Sequence, residues 1–273
     1  CSNGFFLNSA PVILAQTGTY IVTVIPDLGG GITYGTGTFQ MTIFQVPADV
    51  SGSIPLTGTT TSFTFSTPGQ HGLFTFSNTT ANLETTLFIN FGGMNSCNTY
   101  SIKNPDGTFL QAQVDTCSNG FFLNSAPVIL AQTGAYTVTV IPDLGGRITY
   151  GTGTFQMTIF QVPSDATATL TIGGAAQNLT ISTPGQHGKY SFNGTSGQKI
   201  SLTLNFNSMT TCGTFSLSTA SGTPVIADTH TCNNSFVATL PSTTTYNVPL
   251  AFDLGGSITK GTGTMSGSVA NSP

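Results

Sequence analysis

The feature that most constrains this chain is an internal repeat. Residues 1–49 recur at residues 117–165 with an offset of 116, and the two segments differ at only four positions. The differing pairs are Thr19/Ala135, Ile21/Thr137, Gly31/Arg147 and Ala48/Ser164. A third, diverged copy begins at Cys232 and carries DLGGSITKGTGT where the second copy carries DLGGRITYGTGT. Repetition at a fixed period indicates a tandem array of one structural unit.

The upstream half of the unit is repeated as well. STPGQHGLFTF at Ser66–Phe76 matches STPGQHGKYSF at Ser182–Phe192, again with an offset of 116. A unit of about 110–116 residues has the size of one β-sandwich domain. We therefore divide the chain into a second half-repeat (residues 1–49), a complete repeat (50–165) and a complete, diverged repeat (166–273). The missing first half of residues 1–49 is expected either further upstream or on a neighbouring subunit.

Alternation of apolar and polar residues predicts β-strands throughout the chain. The predicted strands are Tyr20–Ile25, Phe39–Phe44, Ser62–Ser66, Gly72–Ser77, Thr85–Phe91 and Ile200–Phe206. Turn-forming sequences such as TPGQHG, NPDG and PDLGG separate them. No segment has the apolar stripe of an amphipathic helix. The sequence predicts an all-β fold of tandem β-sandwich domains, of jelly-roll or immunoglobulin-like type.

The five cysteines follow the repeat. Cys97 and Cys117 flank a segment whose NPDG turn lies near its midpoint, so folding back at that turn brings the two cysteines together. Cys212 and Cys232 are spaced in the same way. We predict the disulfides Cys97–Cys117 and Cys212–Cys232, which point to an oxidising, extracellular or cell-surface location. Cys1 corresponds to Cys117, so its partner is expected in the missing half-repeat, which leaves Cys1 unpaired or joined to another subunit.

Motifs for catalysis or metal binding do not emerge from the sequence. His71 and His187 lie in equivalent PGQHG turns, and His230 stands apart from other ligand-type residues. Zinc needs three or four convergent ligands, and neither a nucleophile elbow nor a pair of catalytic acids is evident. We expect no enzyme activity, no metal and no cofactor. Calcium at the aspartate that recurs before LGG is an open alternative to simple turn capping.

Charge and sequons bear on the surface of the protein. Charged residues make up 5% of the chain and the net charge is −4, which argues against nucleic acid as a partner. No apolar run reaches the length of about 18 residues that suggests a membrane span. Four N-glycosylation sequons lie at Asn78, Asn178, Asn193 and Asn233. Covalent glycans would help to keep so uncharged a surface soluble.

Each repeat presents its motifs in a fixed order. TPGQHGLFTFS is followed by LFINF, YSIKNPDGTFLQ, TGAYTVTV and finally GTGTFQMTIF. This order resembles the bacterial pre-peptidase C-terminal (PPC) domain over roughly Ser62–Phe160 and Ile181–Val269. The resemblance implies jelly-roll-like sandwiches that are appended to secreted proteins. It also implies, for some members, binding of polymers such as collagen or chitin, sometimes with calcium.

Near-identical repeats, short proline-containing linkers and disulfides together favour a structural role. We interpret the chain as a subunit of an extracellular filament or surface appendage that assembles with copies of itself. Donation of strands or of a half-domain by a neighbouring subunit is one way to complete residues 1–49. Two alternatives stay open: an adhesin or accessory polymer-binding module of a secreted protein, and a viral or phage fibre.

Overall fold

The computed structural model describes residues 11–26, 35–117, 120–121, 127–144, 151–206, 208–254, 257–258 and 260–273. Within these residues all regular secondary structure is β-strand, and the predicted all-β fold is confirmed. The strands build two β-sandwiches in tandem, one in residues 50–161 and one in residues 166–271. None of the described residues belongs to a helix long and apolar enough to cross a membrane.

The first sandwich has two sheets facing each other. Its strands are β1 (Val50–Ser53), β2 (Thr61–Phe65), β3 (Gly72–Asn78), β4 (Leu83–Met94), β5 (Asn98–Lys103), β6 (Phe109–Thr116), β7 (Gly120–Phe121), β8 (Val128–Leu130), β9 (Gly134–Pro142) and β10 (Gly153–Gln161). One sheet has the order β1-β3-β9-β5-β6. The other has the order β2-β10-β4-β7, with β8 also paired to β4. Only the β1–β3 pair is parallel among these ladders.

The second sandwich repeats this arrangement. Its strands are β11 (Ala166–Thr169), β12 (Gln177–Ile181), β13 (Gly188–Gly194), β14 (Lys199–Asn205), β15 (Gly213–Thr219), β16 (Pro224–Thr231), β17 (Asn233–Thr239), β18 (Thr244–Phe252) and β19 (Gly263–Asn271). The two sheets have the orders β11-β13-β18-β15-β16 and β12-β19-β14-β17. The strands β9 and β10 of the first sandwich therefore correspond to β18 and β19 of the second.

Each sandwich has its own core, built by the alternation of side chains along the strands. In β9, Tyr136, Val138 and Val140 are completely buried, and the threonines between them face outward. Phe155 of β10 packs from the opposite sheet, and its ring centroid lies 5.2 Å from that of Phe65. β9 lies between β3 and β5, and β10 lies between β2 and β4. Each therefore depends on a neighbouring strand on both sides for its backbone hydrogen bonds and on the facing sheet to bury its side chains.

The N-terminal segment does not meet this requirement. Its described residues, 11–26 and 35–49, form no strand, so the predicted strands Tyr20–Ile25 and Phe39–Phe44 are wrong for this chain. The equivalent residues form β9 and β10, whose neighbours all come from residues 50–116. Residues 1–273 contain two first half-repeats, and both are paired within the two sandwiches. The other four predicted strands are confirmed as β2, β3, β4 and β14.

Candidate assembly interface

A tight joint connects the two sandwiches. The loop STPGQHG of the second sandwich places Gly185 against Thr86, Pro127 and Val162 at the end of the first. A Cβ atom on Gly185 would lie 2.6 Å from Thr86 Cγ2 and 2.9 Å from Pro127 Cγ, which is closer than real contacts allow. Thr86 Oγ1 donates a hydrogen bond of 3.0 Å to the carbonyl oxygen of Pro184. The loop is therefore shaped to fit the end of the preceding sandwich.

Hydrogen bonds hold this loop to the linker. The buried Gln186 donates from Nε2 to the carbonyl oxygen of Ser164, at 2.9 Å, and its Oε1 accepts from the backbone N–H of Ser182, at 2.9 Å. The backbone N–H of Ala166 donates to the carbonyl oxygen of His187, at 2.9 Å. The glutamine side chain thus ties the linker to the loop, and the backbone bond ties the loop to the start of the second sandwich.

The same joint forms between the N-terminal segment and the first sandwich. A Cβ atom on Gly69 would lie 3.1 Å from Pro11 Cγ and 3.3 Å from Val46 Cγ2. Gln70 Nε2 donates to the carbonyl oxygen of Ala48, at 2.8 Å. Each of these residues lies 116 positions before its counterpart in the other joint. The N-terminal segment is therefore seated where the second half of a preceding sandwich belongs.

The side chains of this N-terminal segment that correspond to core residues of the first sandwich are exposed. Val22 is 57% exposed, whereas its equivalent Val138 is 0% exposed, and Phe39 is 66% exposed, whereas Phe155 is 0% exposed. The positions with this contrast are Leu14, Tyr20, Val22, Val24, Phe39, Met41 and Ile43, whose equivalents are Leu130, Tyr136, Val138, Val140, Phe155, Met157 and Ile159. We call these seven side chains the open core face.

The open core face is a strong drive for association. Burying one large apolar side chain is worth about 1.5–3 kcal/mol, so seven of them represent on the order of 10 kcal/mol.

One turn of the N-terminal segment has the same hydrogen bonds as the equivalent turn of the first sandwich. Tyr20 Oη donates to the carbonyl oxygen of Gln16, at 2.7 Å, and accepts from the N–H of Gln16, at 3.3 Å. In the first sandwich, Tyr136 and Gln132 form the same pair of bonds, at 2.9 and 3.2 Å. The second sandwich has this arrangement at Tyr246. The turn from Gln16 to Tyr20 thus has the same hydrogen bonds as in a complete sandwich, although no partner is bound.

In the first sandwich, Pro127 is part of the surface that contacts the STPGQHG loop of the next sandwich. The second sandwich has an equivalent surface at Val237. By strand register, Val237 occupies the position of Pro127, because Ala238 pairs with Ile200 as Val128 pairs with Thr85. Val237 is 59% exposed, whereas Pro127 contacts Gly185 of the next sandwich. The surface at Val237 is thus of the kind that another such loop would cover.

The cysteines of the two sandwiches are paired. The structure joins Cys97 to Cys117 and Cys212 to Cys232, with Cα–Cα distances of 4.2 and 4.3 Å. Each disulfide closes a hairpin of two neighbouring strands, β5–β6 or β15–β16. Disulfides of this kind are typical of proteins outside the reducing cytoplasm. Cys1 lies outside the described residues.

The histidines divide into two groups. His71 and His187 are half-buried in the joint loops, where their carbonyl oxygens accept hydrogen bonds from the N–H groups of Val50 and Ala166, the first residues of β1 and β11. His230 is not isolated, because its Nε2 lies 2.7 Å from Oδ2 of Asp253 in an exposed pair. Spacing could not predict this pair, since 23 residues separate its members.

Metal ligands are sparse in the part of the chain that the structure describes. No three His, Cys, Asp or Glu side chains gather there in a way that could hold a metal ion. A surface hollow of about 400 Å³ lies beside Cys97 and is lined by Asp115 and Asp143 among others. Thr99 Oγ1 donates a hydrogen bond to Asp115, and the amide oxygen of the adjacent, buried Asn98 has no hydrogen-bond partner. Two carboxylates and one unpaired amide oxygen are too few ligands for a metal-binding site.

The four sequons differ in accessibility. Asn78 is buried, and its Nδ2 donates to the carbonyl oxygens of Leu130 and Gln132, so the prediction of a glycan there is wrong for the folded chain. Asn178, Asn193 and Asn233 are exposed. Asn78 and Asn193 do not occupy equivalent positions. Strand pairing aligns Asn78 with Gly194, one residue after Asn193.

Comparisons with known proteins add little beyond the fold class. No family model matches the chain, and no curated protein matches it. Among solved structures, the CUB1-EGF-CUB2 domain of human MASP-1/3 has a TM-score of 0.23 and 8% identity, covering 77% of this chain and 99% of that one. The CUB1-EGF-CUB2 domains of rat MASP-1 give 0.20 and 9%, with coverages of 79% and 99%.

A virus structure, that of Broad Bean Stain Virus, gives a TM-score of 0.24 and 9% identity, with coverages of 70% and 76%. TM-scores this low say nothing about function.

Sequence reasoning missed the joint. The STPGQHG loop has the sequence of an ordinary turn, and its partners Thr86, Pro127 and Val162 are far away in the sequence. A usable signal was present, because PGQHG recurs with the same offset as the proline-containing boundaries.

Proposed function

We propose that this chain is a structural subunit of an extracellular filament or surface appendage, built from tandem β-sandwiches and completed by a half-domain from a neighbouring subunit. The observation that carries the proposal is the N-terminal segment. It is seated on the first sandwich through the repeated joint, and it presents an open core face. A half-repeat whose core-type side chains lack their complement is what a polymer joined by half-domain complementation would present at its end.

Three further features support an array outside the cell. The two disulfides suit an oxidising compartment. The joint is a head-to-tail contact between unlike surfaces, and such contacts extend a chain of domains in one direction. Val237 offers the corresponding surface at the other end of the described array.

The proposed role is one without catalysis or a cofactor. The resemblance of each repeat to the PPC domain is part of the proposal, and it rests on the motif order alone. It would also fit the alternative function, an adhesin or accessory polymer-binding module. A glycan and collagen binding array probed with the chain separates the two, since selective binding would favour the adhesin.

Electron microscopy tests the filament directly. We expect the native material to form filaments whose axial repeat corresponds to a whole number of sandwiches. Purified chain at rising concentration should associate through the open core face, as measured by light scattering. Native material that consists only of dispersed monomers would overturn the proposed function.

A further inference from the structure

The outer face of one sheet in the first sandwich carries two exposed large apolar side chains. Among the described residues after the N-terminal segment, the exposed large apolar side chains are Leu73, Phe109, Ile129 and Val237. Leu73 is 48% exposed and Phe109 is 55% exposed. Both point outward from the sheet β1-β3-β9-β5-β6, because Leu73 precedes the buried Phe74 and Phe109 pairs with the exposed Lys103.

Strand register orders this face into rows that cross the sheet. One end row has Ser53, Thr75, Thr137, Lys103 and Phe109, the middle row has Ser51, Leu73, Thr139 and Ser101, and the other end row has Ile141, Thr99 and Asp115. We call these side chains the Leu73 face. Its cation and its anion stand in opposite end rows, with Leu73 in the row between them.

The two charged residues of the Leu73 face have capacity for a further partner. The ammonium group of Lys103 lies over the ring of Phe109, 5.2 Å from its centroid. Asp115 accepts a hydrogen bond from Thr99 Oγ1, and a carboxylate can accept several more. Lys103 and Thr99 are four residues apart on β5, which is about 13 Å in a strand. The ammonium group and the carboxylate are therefore too far apart to pair within one chain.

The equivalent face of the second sandwich has a different character. Its corresponding residues are Lys189 for Leu73, Ser218 for Lys103, Pro224 for Phe109 and His230 for Asp115. The exposed sequon residue Asn193 lies on that face as well. The fold therefore does not require an apolar centre between opposite charges, and the Leu73 face is particular to the first sandwich.

We propose that the Leu73 face binds the Leu73 face of a second copy of this chain, around a two-fold axis that lies in the interface and runs across the strands. This rotation lays the two middle rows on each other, so that Leu73 meets the Leu73 of the other copy. It also lays each end row on the opposite end row. Lys103 of either copy then lies near Asp115 of the other, and the interface contains this ion pair twice.

Charge complementarity favours a second copy as the occupant. A partner of another kind would have to carry an anion and a cation at this same spacing, whereas a second copy supplies them by symmetry. Five strands and a row separation of about 13 Å give an area on the order of 400 Å² per copy. Stable complexes bury about 800 Å² per partner, so two single chains should pair weakly. Two arrays would pair more strongly because many such contacts act together.

This contact is lateral, so it goes beyond the proposed function, which concerns association along the array. The test uses the full chain in two variants, Lys103→Glu and Asp115→Lys. Two copies of either variant repel each other at both ion-pair positions. One copy of each variant restores an attractive pair at both positions, one native and one reversed. All chains also carry Val22→Asp, which places a charge on the open core face and suppresses association there.

A zero-length carbodiimide cross-linker reports the contact, because it joins an amine only to a carboxylate that touches it. The mixed variants, at about 0.5 mM because contacts this small are weak, should give a link between Lys103 and Asp115, located by mass spectrometry of the digested product. Neither variant contains both residues, so every such link joins two chains.

A matched pair of further substitutions checks the centre of the face. Leu73→Lys, introduced into both chains, should reduce the yield of the link at least about tenfold, because two ammonium groups would meet at the axis. The sandwich should tolerate this change, since Lys189 occupies the equivalent position. Val237→Lys places the same charge at another exposed apolar residue and should leave the yield unchanged.

The proposal is overturned if the mixture gives no link between Lys103 and Asp115, as it would if the face bound a polymer or another protein instead. It is also overturned if Leu73→Lys leaves the yield of the link unchanged. Filaments formed by a chain that gives no link would remove this inference and leave the proposed function standing. A link formed by a chain whose native material contains no filaments would do the reverse.

Discussion

Gly185 determines how closely the two sandwiches approach each other. Its φ of +91° lies in the left-handed region, where a Cβ atom is unfavourable, and the space that a side chain would occupy is filled by Thr86 and Pro127. Gly69 has a φ of +88° and the corresponding surroundings in the N-terminal joint. The absence of a side chain at this position is therefore a requirement of the joint.

Replacing Gly185 by alanine should loosen the joint without unfolding either core. Gly173→Ala is the matched control, since Gly173 has a φ of +79° and nothing within 4 Å of its Cβ position. Both variants should lose about 1–2 kcal/mol of stability through backbone strain. Only Gly185→Ala should also change the small-angle scattering profile of the chain and speed proteolysis of the linker. Identical profiles for the two variants would show that the contact does not set the domain arrangement.

Asn78 and Asn193 show that a shift of one residue along a strand decides whether a sequon asparagine is buried or exposed. Successive side chains of a strand point to opposite faces. Asn78 lies on the buried side of β3, whereas Asn193 lies one residue before the equivalent position and points outward. Similar sequons in similar turns are thus not equivalent sites.

At the scale of the element, each disulfide staples a two-stranded hairpin at the edge of its sheet. The bonded cysteines are separated by 20 residues in both sandwiches. Closing a loop of this length restricts the unfolded chain by about 3 kcal/mol in the chain-entropy model. The hairpins β5–β6 and β15–β16 should depend on this restriction because β6 and β16 have a neighbour on one side only.

The double variant Cys97→Ser, Cys117→Ser should reduce the unfolding free energy of the first sandwich by about 3 kcal/mol. Chemical denaturation followed by hydrogen exchange can assign the loss to one sandwich. The control is the second sandwich of the same molecule, which retains Cys212–Cys232 and should keep its stability. Equal losses in both sandwiches would mean that they unfold as one cooperative unit.

Strand propensity explains which elements could be predicted from the sequence. The alternating pattern of β2, β3, β4 and β14 predicted these strands correctly, because their partners are present in the same chain. Tyr20–Ile25 has nearly the same pattern as β9 yet forms no strand. A strand in the middle of a sheet needs backbone partners on both sides, and whether they are present is not a property of the segment itself.

The joint and the His230–Asp253 pair could not be predicted for a related reason. Both bring together residues that are distant in the sequence, and no local pattern marks them as neighbours. The repeat did predict that residues 1–49 are half of a sandwich. It could not predict that Pro11 and Val46 would already be seated against Gly69.

For the molecule as a whole, the low charge raises the question of solubility. The chain has five basic and nine acidic residues among 273, and the open core face adds apolar surface. We therefore hypothesise that glycans cover part of the exposed sheets at Asn178, Asn193 and Asn233.

Intact-mass measurement of native material tests this hypothesis. We expect a mass above the 28.1 kDa of the bare polypeptide, with peptides that carry sugar at one or more of the three exposed asparagines. Asn78 serves as the internal control and should be unmodified, because its side-chain nitrogen is buried in hydrogen bonds. A mass equal to that of the bare chain would remove the hypothesis.

The two joints have a geometric consequence. Gln70 and Gln186 make the same contacts with the preceding linker, and Gly69 and Gly185 meet the same pair of side chains. Sandwiches that all met through this joint would be related by one repeated rotation and translation, and repeated application of one screw operation generates a helix. The pitch of the proposed filament would then be encoded in a seven-residue loop, and a substitution there would change the helical twist of the whole filament.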